Sequence, residues 1–114
     1  MRYAMLICTD ENAVTSPAEQ KSRAAGFAAF EAAMKARGAL VSSQELQPTA
    51  TAAQLRCWPG GDVVVARGPF AETKEQITGL CIVECRDMDE AIDTATRIPA
   101  AWYGTIQVRP VQQT

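Results

Sequence analysis

Between Ala66 and Gln76 the chain reads ARGPFAETKEQ, a Gly-Pro turn followed by two acids around a lysine. Lys74 is a cation able to hold a carboxylate or phosphate, and beside apolar walls it would act with a lowered pKa. Glu72 stands two residues before it and can pair with Lys74 or take a proton. Arg67, at the head of the stretch, is a second cation for a developing enolate-like charge, and Phe70 can anchor the segment in the core. Outside this loop, Glu45 is an acid within a predicted strand, where an inward-facing carboxylate needs a cation or a ligand. Tyr3 and Tyr103 carry hydroxyls that can point into a cleft. Each group also has an ordinary reading: a solvated turn braced by ion pairs, an edge strand facing water, tyrosines packed with one satisfied hydrogen bond. Asp10 and Glu11, after the first strand, suit a solvated loop as well as a ligand site at a sheet end. The residues alone leave these alternatives open.

What the sequence lacks narrows the chemistry. There is no histidine, so the commonest general base and metal ligand is missing. Cys8, Cys57, Cys81 and Cys85 show no metal spacing, so neither a zinc site nor a cofactor is expected. Cys81 and Cys85 would lie about 13 Å apart on one strand face, too far to cross-link. All four read as small buried hydrophobes in a reducing compartment. The 11 basic residues are scattered among 13 acids for a formal charge of −2, which argues against nucleic acid as a partner. No apolar run approaches the length of a membrane span, and MRYAMLICTDE lacks the order of a signal peptide, so a cytoplasmic location is expected. A chain of 114 residues, 47% hydrophobic and 21% charged, fits one domain with one core, residues 1–114.

The elements that must position these groups are marked locally. RYAMLIC, Arg2 to Cys8, is apolar on both faces and reads as a central strand. Ser16-Pro17-Ala18-Glu19 carries a cap, a first-turn proline and a capping-box acid. The helix it opens runs Pro17 to Arg37, with Phe27, Phe30 and Met34 as its core stripe and Gly38 as its stop. Ala39 to Leu46 reads as a weakly alternating strand. Leu55–Trp58 and Asp62–Ala66 read as a hairpin through Pro59-Gly60-Gly61. Ile77 to Glu84 is a second central strand. Asp87 and Glu90 open a helix carrying Met88, Ala91, Ile92, Ala95 and Ile98, ended by Pro99. Gly104 to Val111 closes as a strand.

With the hairpin as an insertion, this order predicts an α+β, ferredoxin-like β-α-β-β-α-β fold, an antiparallel sheet with both helices on one face. The other face needs cover, because Tyr3, Met5 and Val65 would form a large exposed apolar patch there. Homodimerisation through that face is expected, with a ligand cleft between the sheets.

Several stretches together resemble DGPF proteins of the YCII-related superfamily: RYAMLIC, GAL followed by ELQP, ARGPFAETKEQITG, DMDEAI and IPAAWYGTIQVRPV. The resemblance spans nearly the whole chain. It implies a dimeric α+β barrel, in small bacterial proteins mostly without an assigned reaction, some of them encoded beside or fused to sigma factors. Two positions depart from the pattern: Arg67 stands where the family has Asp before Gly-Pro-Phe, and Trp102 where Arg is common before Tyr-Gly. The His/Asp chemistry of other branches cannot operate here through the same residues. The expected function is a small-molecule-binding dimer, a ligand sensor or partner-binding module with a sigma factor as partner by analogy. The alternative is a cofactor-free lyase or isomerase using Glu72, Lys74 or Glu45, with Tyr3, Arg67, Phe70 and Tyr103 holding a small organic acid or phenol.

Overall fold

A computed structural model of the chain describes residues 1–70 and 74–113. The elements follow in the order β1 (Arg2–Thr9), α1 (Pro17–Ala36), β2 (Leu40–Glu45), β3 (Ala53–Cys57), β4 (Val63–Arg67), β5 (Gln76–Glu84), α2 (Met88–Ala95) and β6 (Thr105–Pro110), with 3-10 turns at Thr49–Thr51 and Pro99–Trp102. This is a mixed α+β fold. Four strands form an antiparallel sheet in the order β2-β5-β1-β6, while β3 and β4 pair, among the described residues, only with each other.

The caps act as their residue types require. The Ser16 hydroxyl accepts from the Glu19 amide at 3.1 Å, and the Asp87 carboxylate accepts from the Glu90 amide at 2.9 Å. Helix α1 stops at Ala36, with Arg37 as cap and Gly38 at φ 69°. Helix α2 is shorter than expected. It ends at Ala95, and Pro99 opens a new 3-10 turn four residues later. Its buried line is therefore Ala91, Thr94 and Ala95, and Ile92 faces outward.

One face of the sheet takes both helices. Tyr3, Met5 and Ile7 of β1 lie opposite Val83, Cys81 and Gly79 of β5, and with Phe30, Met34, Ala91, Ala95 and Ile98 they make the core. The assignment of Tyr3 and Met5 to the open face is thereby corrected: they are 2% and 0% exposed beneath the helices. Because both faces of β1 are apolar, alternation could not say which one the helices would cover. The larger side chains went to the thicker layer. The open face instead carries Ala4, Leu6, Leu80 and Ile82 at its centre, with exposed Ser42, Gln44, Gln107 and Arg109 on the flanking strands.

Val65 belongs to neither face, since it lies in the separate hairpin. All ten residues of β3 and β4 are exposed, including Leu55 at 68%. Gly60 and Gly61 make the turn, both at positive φ, and Trp58 donates its amide to the Asp62 carbonyl at 2.8 Å. The arm is rooted at Thr49, whose amide and hydroxyl both donate to the Glu11 carboxylate, so Glu11 is a brace rather than a solvated acid. The projecting arm accounts for a radius of gyration of 16.3 Å, where a compact chain of this length has about 13 Å.

The cysteines separate by environment. Cys81 and Cys85 are buried, and burial, aided by the Glu31 charge, pushes the Cys81 thiol up to about 11. Cys57 is exposed on the hairpin, which corrects the expectation that all four are buried. In native protein treated with iodoacetamide, mass spectrometry is expected to find Cys57 modified first and Cys81 modified only on unfolding, because the thiolate is the reacting form. Native-rate alkylation of Cys81 would contradict this core.

Candidate functional site

A cleft of about 290 Å³ opens on the helix side of the sheet, at the end where β1 and β2 finish and β5 begins. Three features of the chain make it hollow. Gly79 lies on the helix-covered face beside Ile7 and Gln44, where a side chain would fill the floor. Ala24 and Ala100 leave room in the walls. Gly26 lets α1 approach the 3-10 turn so closely that an added Cβ would sit 2.9 Å from Pro99 Cγ. The apolar surface is completed by Ile7, Phe27 and Pro99.

Polar groups enter from α1 and from the sheet. From α1 come Gln20 and Arg23, and the Arg23 guanidinium lies 3.6 Å from the centroid of the Tyr103 ring. Such stacking fixes the orientation of a side chain that would otherwise be among the most mobile in the chain. Its only ion pair among the described residues is a long one, 3.9 Å to Glu19. The sheet supplies Thr9, Thr78 and Glu45. A β-bulge opposite Ile7 and Cys8 makes Thr78 the extra residue of β5 and turns it toward Thr9, so that their hydroxyls meet at 2.9 Å. An irregularity between Leu40 and Ser42 shifts the phase of β2, and Glu45 thereby comes opposite Gly79 at the cleft.

Of the residues expected to form a site, Glu45 and Tyr103 meet here. Tyr3 does not. It lies at the other end of β1, buried, with its hydroxyl 3.8 Å from the Met1 sulfur and its phenol pKa raised by burial. Arg67 is exposed on β4, Phe70 is half-buried after the Gly68–Pro69 bond, and Lys74 is exposed; none lines the cleft. Glu72 lies outside the described residues. This cleft lies within one chain, on the helix side of the sheet.

Arg23, Gln20, Thr9 and Thr78 were missed. A signal for the first two was present: the core stripe Met34, Phe30, Phe27, continued toward the helix start at steps of four and three, reaches Arg23 and Gln20. A cation on an apolar stripe marks a place where the stripe leaves the core and lines something else. Thr9 and Thr78 gave no such signal, because the bulge that joins them is not visible in the order of residue types.

The family model described as the YCII-related domain matches residues 1–114. An uncharacterised protein of Rhizobium meliloti (strain 1021) is 36% identical over 115 residues, covering 97% of this chain and 92% of that protein.

Proposed function

Because the chain belongs to the YCII-related family, we propose that it is a small-molecule-binding homodimer built from ferredoxin-like units, whose ligand sits in the cleft beneath α1. The cleft carries the reading: an apolar-walled hollow lined by an oriented arginine and by hydroxyl and carboxylate oxygens. Binding sites combine apolar walls with a few placed polar groups in this way. Holding a ligand is favoured over converting it. None of the described residues lining the cleft is a histidine, lysine or cysteine, and its two threonine hydroxyls hydrogen-bond to each other. The strand order β2-β5-β1-β6 with both helices on one side supports the ferredoxin-like reading. The dimer is supported by the open face, whose apolar centre and polar flanks have the layout of an interface core with its rim.

Ala24 is exposed on the wall of the cleft, so a bulky replacement there obstructs the site while leaving the core intact. A thermal-shift screen of small carboxylates, phenols and alcohols is expected to give hits on the wild type that Ala24→Trp abolishes, with the unliganded melting temperature changed by only a few degrees. Ligands stabilise the native state they bind. Hits equally strong on Ala24→Trp would place binding elsewhere and sink the proposal.

A further inference from the structure

We infer that the cleft selects small carboxylic acids with an apolar or aromatic body, and that Arg23 is the group that holds the carboxylate. This rests on the binding role proposed above for the same cleft. The Arg23 side chain is only 34% exposed, yet its guanidinium makes no hydrogen bond among the described residues, and its nearest carboxylate stands 3.9 Å away. A guanidinium has five donors in a rigid fork that matches a carboxylate edge to edge. Partly withdrawn from water and already stacked on Tyr103, it has given up hydration and mobility before any anion arrives.

The rest of the cleft's lining bears on what else the ligand carries. The Thr78 hydroxyl lies 3.4 Å from the Ile7 carbonyl and 2.9 Å from the Thr9 hydroxyl, so the two threonines have partners within the protein. Of the charged groups that line the cleft, Arg23 attracts an anion and Glu45 repels one. The side chains of Phe27, Ile7, Pro99 and Ala100 are apolar, which calls for a hydrocarbon body rather than a second charged group. At about 290 Å³ the space lies near the lower limit for ligand sites, enough for one ring or a short chain.

The test is a set of matched pairs that differ only at the acidic end: butyrate and 1-butanol, phenylacetate and 2-phenylethanol, 4-hydroxyphenylacetate and 2-(4-hydroxyphenyl)ethanol. Each is titrated into nitrogen-15-labelled protein while the amides of Thr9, Arg23, Phe27 and Tyr103 are followed. In at least one pair the acid is expected to bind about tenfold more tightly than the alcohol, the ratio that charge-assisted hydrogen bonds give. Arg23→Gln should bring that ratio to about one while the alcohol's own binding persists, and Arg23→Lys should keep part of it; the spectrum of each variant reports that it is folded. Alcohols that bind as well as acids overturn the carboxylate selectivity and leave the binding role standing. A preference for acids that survives in Arg23→Gln overturns the assignment to Arg23. If no member of any pair moves those amides at about 10 mM, the binding role fails as well.

Discussion

If the protein pairs through its open face as proposed, replacing Leu80 with arginine is expected to convert the dimer to a monomer at micromolar concentration. Leu80 sits at the centre of the open face, opposite Leu6 and flanked by Ile82 on its own strand. In a dimer stacked through this face, two-fold symmetry places every substitution twice in one interface. Two guanidinium groups then enter an apolar centre without partners. An unpaired buried charge costs about 3–5 kcal/mol, so the pair is enough to dissociate a dimer of ordinary affinity. The fold should survive, because Leu80 faces away from the core formed by Cys81 and Val83 beneath the helices. Sedimentation velocity reads the change directly. A wild type that sediments as a monomer, or a Leu80→Arg variant that remains a dimer, places the interface elsewhere, and the exposed hairpin becomes the surface to test.

The second large effect lies beneath the cleft. Gly104 joins the 3-10 turn to β6, and a Cβ added there would stand 2.3 Å from the Cys8 carbonyl oxygen and 2.9 Å from Thr9 Cγ2. The nearest obstacle is backbone of a central strand, which cannot yield as the end of a side chain can. Gly104→Ala is therefore expected to lose about 3 kcal/mol, a fall in melting temperature on the order of 10 °C. Because Tyr103 is the preceding residue, the displacement also spoils the surface on which Arg23 rests. Gly38→Ala is the control. Its Cβ would meet nothing within 4 Å, and its only penalty is the positive φ of 69°, worth about 1 kcal/mol. Equal losses in the two variants, measured by urea unfolding, would show that the crowding at Gly104 does not matter.

The parts of this molecule that could be read from its sequence are those set by neighbours along the chain. Ser16-Pro17 and Asp87 start helices through hydrogen bonds to amides three residues away, and the hairpin turn needs only Pro59-Gly60-Gly61. The two central strands were visible as apolar runs for the same reason. What stayed hidden depends on distant partners. The face of β1 chosen by the helices, the bulge at Thr78 and the phase shift in β2 all arise from pairing with residues far away in the chain. Those same irregularities assemble the cleft. Glu45 was recognisable as an acid in an unusual place, yet only the shifted register explains where it points. Lys74 and Arg67 stand out in the sequence by chemical type, yet the structure leaves both on the surface, while Arg23 lies on the helix stripe one step beyond Phe27.

The most direct test of the central claim is to soak crystals of the protein in a library of small fragments and ask where density collects. Fragments are expected to gather beneath α1, packed on Phe27 and Pro99 and reaching toward Arg23 where it lies over Tyr103. Fragments that leave this cleft empty and bind only along the hairpin or between sheets of two chains would contradict it.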